Sequence, residues 1–293
     1  CTRAGSRRAA QEELIDERPA FPAVFPPDTA MPERRAPRDT QTTARRSMSG
    51  SPAVRHGLAR ILSKQGVCSR TEAARWITDG RVSVDGRIVR DPEFPVVAGR
   101  AVVRVDGQAA AAADRHYLML NKPRGLVTTT RDERGRDTVY RCLEGAGLPW
   151  TAPVGRLDKA SEGLLLFTND PEWAARVTDP ACGPDKTYHV QVDRVPDEAL
   201  LRALQAGVHV GGEHLAARQA RLLRAGERNA WVEIVLDEGR NRQIRRLLEA
   251  FDIRVLRLVR VAIGPLLLGT LAKGSWRMLD AAEREALAPV TGF

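Results

Sequence analysis

The chain has 293 residues and a formal net charge of +9. This length is sufficient for one main domain with a large core and one small module, and the positive charge favours a polyanionic partner. No apolar stretch approaches the ~18 residues that span a bilayer, no signal segment opens the chain, and the four cysteines have no paired spacing. These observations argue against a membrane partner, a disulfide framework and a zinc knuckle, so we expect a cytoplasmic protein.

Residues 1–52 differ in composition from the rest of the chain. They contain seven of the 18 prolines and show no periodic apolar pattern, which is typical of a disordered leader. The chain begins at Cys1, whereas Met31 and Met48 precede the patterned sequence. We expect translation to start at one of these methionines, so that the leader need not be natural protein.

Residues 53–107 predict two helices followed by a hairpin. Apolar residues at helical spacing predict a first helix from position 58, and Ser69 with Glu72 forms a capping box that begins a second helix. Asp85-Gly86 stands between two short β-branched runs and is a strong hairpin signal. A further valine-rich strand completes this small domain.

The stretch RILSKQGVCSRTEAARWITDGRVSVDGRIV (60–89) resembles the small RNA-binding domain shared with ribosomal protein S-four. In that family the second helix and the adjoining loop lie on RNA. The resemblance therefore implies that five basic residues lie near phosphates: Arg60, Lys64, Arg70, Arg75 and Arg81. From the residues alone, the same positions are compatible with the solvated faces of two helices.

Residues 108–114 form an alanine-rich linker that is compatible with a flexible or a helical segment. Beyond it, strands and helices interleave without the regular repeat of a doubly wound fold, so we expect an α+β domain at 115–281 and a tail at 282–293. The sheet should be mixed, mostly antiparallel and flanked by helices. The predicted strands are 117–120, 164–167, 187–192, 230–236 and 255–263, and the predicted helices are 171–178, 197–206 and 242–251.

One short motif in this domain is informative about chemistry. The run GRLD (155–158) precedes SEG (161–163) and the apolar run LLLF (164–167). Four apolar residues between a glycine and a turn signal predict a strand that is covered on both faces, so the loop that carries Asp158 is held against a rigid scaffold. This position suits a catalytic carboxylate. In isolation, Asp158 is also compatible with capping a turn or pairing with Arg156.

Tyr188 lies in the alternating run KTYHV (186–190), where it shares one strand face with Val190. A tyrosine in this position is most often a core residue. Lys186 and His189 are expected to face the other way.

Four arginines lie at the entrance of a predicted helix. They are Arg240, Arg242, Arg245 and Arg246. The apolar residues of this helix already keep the i, i+3, i+4, i+7 spacing of a packed face, so packing does not explain the arginines. Four positive charges in seven residues repel one another unless an anion is nearby, which favours a phosphate or carboxylate site.

The motifs GRLDKASEGLLLFTND, KTYHV and EGRNRQIRR occur in the order found in the RsuA-like family of ribosomal RNA pseudouridine synthases, which the chain resembles from about Leu58 to Leu279. In that family the aspartate of the first motif, which matches Asp158, is the nucleophile. The tyrosine of the second, which matches Tyr188, stacks on the target base and is a candidate proton acceptor. The basic residue after Gln-Ile, which matches Arg245, pairs with the aspartate and keeps it ionised and oriented.

The resemblance also implies lesser roles around this centre. A family leucine that packs below the base matches Leu266, although Leu267 and Leu268 compete for this role and ordinary core is a further alternative. Arg156 is expected to fill the space that the target nucleotide vacates or to hold its phosphate. The remaining arginines of the helix entrance, Arg240, Arg242 and Arg246, are expected to contact RNA.

The expected function is site-specific isomerisation of uridine to pseudouridine in ribosomal RNA, by a monomer that acts on the RNA or on a pre-ribosomal particle. The uridine must leave its stack to reach Asp158, which attacks either the ribose or the base. No dinucleotide motif, P-loop or His/Cys cluster predicts a cofactor or a metal. Two rival interpretations stay open. A non-catalytic RNA-binding factor would use the same basic surface, and a retaining glycosidase would use Asp158 with Glu162 but should have more than the 5% aromatic residues of this chain.

Overall fold

A computed structural model of the chain describes residues 54–130 and 134–288. The leader predicted at 1–52 lies outside the described residues, as does the end of the predicted tail. Among the described residues, no helix is both long enough and apolar enough to cross a bilayer.

The small N-terminal domain packs two helices against short strands. Ser69 caps the second helix by accepting a hydrogen bond from the Glu72 amide (3.1 Å), and Asp85 and Gly86 both have positive φ (49° and 82°), as a two-residue hairpin turn requires. The helix start at Ser69 and the hairpin are thus confirmed, whereas only the Ser69 half of the predicted capping box is formed among the described residues. The elements are β1 (Arg55–Gly57), α1 (Leu58–Lys64), α2 (Arg70–Thr78), β2 (Val82–Val84), β3 (Arg87–Ile88), β4 (Pro95–Val97), β5 (Val103–Val105) and β6 (Gln108–Ala109). The strands form a sheet of order β3-β2-β5-β6 and a separate β1-β4 pair.

The larger domain is built on a mixed sheet of order β13-β14-β10-β15-β9-β7-β17, with β8 on β9 and β16 on β15. The β9–β15 pair is parallel and the other pairings of this sheet are antiparallel, which confirms the predicted α+β class. The elements are β7 (Tyr117–Lys122), a 3-10 helix (Val139–Leu143), β8 (Ala152–Val154), β9 (Glu162–Thr168), α3 (Pro171–Thr178), β10 (Lys186–Val192), α4 (Glu198–Ala206), β11 (Val208–Val210), β12 (Glu213–Leu215), β13 (Gln219–Ala225), β14 (Ala230–Leu236), α5 (Gln243–Glu249), β15 (Val255–Ile263), β16 (Leu266–Leu267), β17 (Trp276–Met278) and α6 (Ala281–Leu287).

Strand β9 is buried on both faces, as its apolar run predicts. Leu165 and Phe167 belong to one hydrophobic core, and Leu164 and Leu166 belong to a second core on the other side of the sheet. All four side chains are fully buried. The loop that precedes β9 is therefore anchored to a strand that is packed on both faces. A precisely placed catalytic group needs such a rigid support.

The two domains contact each other through the segment that joins them and through a direct ion pair. The Ala113 amide donates to the Gln65 carbonyl (2.9 Å), and the Asn169 side chain, which is 1% exposed, donates to the Asp114 carbonyl (2.7 Å). Lys64 forms an ion pair with Glu172 at 3.1 Å. The predicted linker at 108–114 begins as strand β6 and contains no helix.

Candidate active site

A cavity of about 560 Å³ lies between the loop that enters β9, strands β10 and β15, and the start of α5. Its volume is within the range of small-ligand pockets. The apolar part of its lining includes Leu157, Leu236, Ile244, Leu258 and Ile263. The polar and charged lining residues are Arg156, Asp158, Ser161, Thr178, Lys186, Tyr188, Glu238, Arg240, Arg242, Gln243, Arg245 and Arg260.

The backbone of the Asp158 loop is fixed by hydrogen bonds from residues 122–128. The Thr128 hydroxyl donates to the Leu157 carbonyl at 2.7 Å and accepts from the Leu157 amide at 3.3 Å. The Gly125 amide donates to the Lys159 carbonyl at 2.8 Å. The carboxylate thus projects from a loop whose neighbouring peptide groups are already bonded within the protein.

Lys122 completes this support and is a residue that sequence reasoning missed. It is fully buried, and its Nζ donates to three carbonyls, those of Pro123 (3.1 Å), Asp158 (3.2 Å) and Ser161 (2.9 Å). Burial lowers the pKa of Lys122 to about 8, and the nearby Asp158 partly opposes this shift. A lysine is rarely buried so completely. Neither the residue type nor the sequence pattern around Lys122 therefore predicts that it supports the Asp158 loop.

The carboxylate of Asp158 lies beside two arginines of the α5 entrance. Arg242 Nη1 is 3.7 Å from Asp158 Oδ2, and the two side chains are 53% and 35% exposed. Arg242 is the N-cap of α5 and has a left-handed backbone, with φ of 50°. A non-glycine residue rarely adopts this conformation, and here it places an arginine at the site.

The expected pairing of Arg245 with Asp158 differs from the observed contacts. Arg245 donates from Nη2 to the Ala160 carbonyl (3.3 Å), and its buried Nε has no partner within the described residues. Burial, followed by repulsion from Arg242, lowers the pKa of Arg245, while Asp158 acts in the opposite direction. Arg245 therefore interacts electrostatically with the Asp158 carboxylate but forms its hydrogen bond with the backbone of the Asp158 loop. Arg242, which has the left-handed backbone, is the arginine within ion-pair distance of the carboxylate.

Two of the other arginines expected to contact RNA are engaged within the protein. Arg240 bonds Glu238 (2.7 Å) and the His214 carbonyl (2.9 Å). Arg246 pairs with Glu213 at 2.6 Å and is not among the residues that line the cavity. These contacts hold the β11–β12 hairpin against the segment that starts α5, and the expected RNA contacts of both arginines stay predictions. Arg156 is exposed and lines the cavity, as its expected role requires.

Of the five basic residues of the small domain that are expected near RNA, three form ion pairs within the protein and, among the described residues, two do not. Lys64 bonds Glu172, Arg70 bonds Glu93 (2.9 Å) and Arg81 bonds Asp106 (2.5 Å). Arg60 and Arg75 are exposed, and in the part of the chain that the structure describes neither has an acidic partner within ion-pair distance.

Tyr188 lies in the wall of the cavity and is 8% exposed. Lys186 also lines the cavity, so the expectation that it faces away from Tyr188 is wrong, since residues two apart on a strand share a face. His189 does lie on the opposite face, where it contacts Glu233 at 3.3 Å.

Leu266 is not part of the cavity, contrary to the role expected for it. It is 4% exposed and belongs to the core that includes Leu164 and Trp173. The chain turns back at Gly264, and Leu266 pairs with Ile263 at the end of β15. Leu258, on the same strand as Ile263 and directly across from Val190 of β10, supplies apolar surface beside Tyr188 instead.

Glu162 is separated from Asp158 despite their closeness in sequence. It accepts hydrogen bonds from Arg257 (2.8 Å) and Lys273 and does not line the cavity. Burial alone would raise the pKa of Glu162, but the bonds from Arg257 and Lys273 hold it below the ordinary value. The Asp158–Glu162 pair that a glycosidase would need is therefore not formed.

The larger domain thus presents the Asp158 carboxylate beside Arg242 in a half-open cavity, and the small domain precedes it in the chain. Residues 57–102 match the S4 domain family, and residues 116–250 match the family described as RNA pseudouridylate synthase. An uncharacterised RNA pseudouridine synthase of Aquifex aeolicus is 36% identical over 80% of this chain and 94% of its own length. One of Mycobacterium bovis is 39% identical over the same shares.

The likeness extends to a solved structure. A crystal structure described as a pseudouridylate synthase superposes with a TM-score of 0.57 at 27% identity, and the match covers 79% of this chain and 99% of that one. The chain belongs to the family of RNA pseudouridine synthases that carry an N-terminal S4 domain, consistent with the RsuA-like resemblance. It is therefore an enzyme that isomerises uridine in RNA. Within the described residues, no group of three His, Cys, Asp or Glu side chains could hold a metal ion.

Proposed function

We propose that this enzyme converts a specific uridine of ribosomal RNA into pseudouridine, with Asp158 as the nucleophile. One observation carries the proposal. Only two carboxylates, those of Asp158 and Glu238, are among the described residues that line the cavity. Glu238 is occupied by Arg240 (2.7 Å) and Gln243 (2.8 Å), so Asp158 is the carboxylate that remains available to react.

The surroundings of Asp158 suit a nucleophile that must stay ionised and oriented. Arg242 and Arg245 supply positive charge, and the bonds to Leu157, Lys159 and Ala160 fix the loop on both sides of the aspartate. A nucleophile held in this way does not lose orientational freedom during the reaction. The reaction breaks the C1′–N1 and C5–H bonds and forms the C1′–C5 and N1–H bonds, so the proton lost from C5 is balanced by the one gained at N1 and neither a redox partner nor an external group is needed.

Tyr188 supplies the surface on which the base would stack. Its ring belongs to the wall of the cavity, and its hydroxyl has no hydrogen-bond partner among the described residues, so it is available to contact a substrate. The uridine must be extruded from its stack to reach this position, at a cost of a few kcal/mol that contacts to phosphates offset. Arg156, exposed at the cavity, is placed to make such a contact.

Ribosomal RNA is the proposed substrate because the small domain resembles the RNA-binding domain of a ribosomal protein. We would incubate the purified enzyme with total RNA from a strain that lacks it and map pseudouridine in ribosomal and transfer RNA separately. A new pseudouridine at one ribosomal position is the expected result. A new site confined to transfer RNA would refute the proposed substrate.

The chemical role of Asp158 is tested with Asp158→Asn, which keeps the shape of the side chain and removes its charge. This variant should lose isomerisation while its RNA affinity stays within a few fold of the wild type. Turnover near the wild-type rate would refute the nucleophile. An inactive wild type that binds RNA tightly would favour the non-catalytic binding factor.

A further inference from the structure

Arg260 is a buried cation for which the protein provides almost no partner. It is 5% exposed, and its hydrogen bond in the structure runs from Nε to the Leu164 carbonyl at 2.7 Å. Its Nη2 is buried without an acceptor, and no carboxylate of the described residues lies within ion-pair distance of it. A guanidinium has five N–H donors, and a buried charge without partners is strongly destabilising, so an acceptor from outside the protein is expected here.

The position of Arg260 identifies where that acceptor enters. The residue lines the active-site cavity and lies directly across from Tyr188 in the β10–β15 pairing. Side chains that face each other across antiparallel strands are about 5 Å apart at Cβ. A base stacked on Tyr188 would therefore come within reach of the guanidinium, while the bond from Nε to Leu164 keeps the group in place.

The charge around Arg260 favours an oxygen acceptor. Lys186 lines the same part of the cavity, and its Nζ bonds only weakly, to the Asp237 carbonyl at 3.4 Å. Burial and then repulsion from Arg260 lower the pKa of Lys186, so the two cations are close enough to disfavour each other. The nearby apolar residues, Leu258 and Ile263, suit the ring of a base better than a phosphate, which would remain at the cavity entrance.

We infer that Arg260 reads the flipped base, by donating a hydrogen bond to a carbonyl oxygen of uracil. This inference rests on the proposed function. The contact would also assist the reaction, because cleavage of the C1′–N1 bond leaves its electron pair on the ring, where the carbonyl oxygens share the negative charge. A fixed donor at one of these oxygens stabilises that charge. If the oxygen is O4, the same donor faces the amino group of cytosine and rejects it.

The test pairs variants of Arg260 with substrates that lack one oxygen. The probe is a synthetic RNA of the mapped target sequence that carries uridine, pyrimidin-2-one ribonucleoside (no O4) or pyrimidin-4-one ribonucleoside (no O2) at the target position. Single-turnover rates and dissociation constants are measured for wild type, Arg260→Gln and Arg260→Lys. Arg224→Gln, which removes an exposed arginine of β13 outside the cavity, controls for the loss of one charge, and thermal unfolding checks that each variant is folded.

The ratio of the rate with uridine to the rate with one of the analogues should be about 10- to 100-fold larger for wild type than for Arg260→Gln. Arg260→Lys should recover part of this difference, and Arg224→Gln should behave as wild type. If Arg260→Gln slows uridine and both analogues by one common factor, or leaves the uridine rate unchanged, Arg260 does not read the base. If the wild type isomerises no uridine of this RNA, the proposed function fails, which is a separate result.

Discussion

The exposure of the side chains around Asp158 determines how much each arginine can contribute. The Arg242–Asp158 pair is long and more than a third exposed on both sides, and such pairs contribute about 0–1 kcal/mol. The bond from Arg245 to the Ala160 carbonyl joins a half-buried charge to the loop itself, and bonds to charged groups contribute about 1.5–3 kcal/mol. Arg245 should therefore matter more to the position of Asp158, although Arg242 is nearer to the carboxylate.

This comparison predicts that Arg245→Ala lowers the single-turnover rate about 100-fold, whereas Arg242→Ala lowers it about fivefold or less, because each 1.4 kcal/mol corresponds to a factor of ten. Arg245→Lys should keep part of the activity, since charge survives while the fork geometry is lost. Rate and dissociation constant are measured at one salt concentration. An Arg245→Ala enzyme that reacts at the normal rate once saturated would identify Arg245 as an RNA contact only.

Burial of Lys122 should make the free energy of unfolding increase as the pH rises above about 8. Its folded-state pKa of about 8 is below the ordinary value of 10.5, so below pH 8 the folded protein bears the full cost of a buried ammonium, and this cost disappears as the pH rises toward 10.5. The unfolding free energy of wild type relative to Lys122→Met should therefore increase by about 2 kcal/mol between pH 7.5 and 9.5. Urea unfolding of wild type and Lys122→Met at both pH values measures this difference in unfolding free energy. A difference that does not change with pH would mean that the three carbonyls keep the amine protonated.

At the scale of elements, the site depends on the parallel contact between β9 and β15. Gly163 has φ of +100°, and a Cβ at this position would lie 2.2 Å from the Arg260 carbonyl oxygen. Glycine thus lets the strand that follows the Asp158 loop approach the strand that carries Arg260. Without this contact, the aspartate and the arginine would not belong to one cavity.

Gly163→Ala should consequently cost more stability than an alanine at a glycine with the same backbone and free space. Gly125 is that control, because its φ is +102° and nothing lies within 4 Å of the point that a Cβ would occupy there. A left-handed alanine costs about 1–2 kcal/mol at either position, and the clash should add about 1–3 kcal/mol at Gly163. Urea unfolding of both variants gives the comparison. Equal losses would show that the two strands can separate without cost.

Sequence reasoning located the elements that have a strong pattern and missed those that do not. The buried run of β9 and the helix after Asp170-Pro171 are confirmed, because continuous apolar sequence and a capped proline start leave few alternatives. Strand β13 was not predicted, because it is an edge strand with mostly exposed residues and lacks an alternating pattern. The contacts of Arg242 and Arg245 were also not predictable, since they depend on one left-handed residue.

At the scale of the whole molecule, the positive charge of the chain is only partly available to RNA. Lys64, Arg70 and Arg81 are paired with acids of the protein, and binding RNA through them requires breaking those pairs. Arg60 and Arg75 are exposed and carry no such cost. Of the five basic residues expected near RNA in the small domain, these two should therefore contribute most to phosphate binding.

The salt dependence of RNA binding tests this division. Each phosphate that a cation neutralises contributes about 0.7 to 0.9 to the slope of log K against log salt concentration, so the Arg60→Ala/Arg75→Ala double variant should lower the slope by about 1.4 to 1.8. The matched double variant Arg70→Ala/Arg81→Ala removes the same charge from paired positions and should change the slope by clearly less. Dissociation constants are measured between about 50 and 200 mM salt, a range over which such affinities change by orders of magnitude, together with the rate at saturating RNA. That rate should be unchanged in both variants, because neither pair lines the cavity. Equal changes in slope would show that the ion pairs open on RNA, and an unchanged slope in the first variant would show that this face of the domain does not touch the substrate.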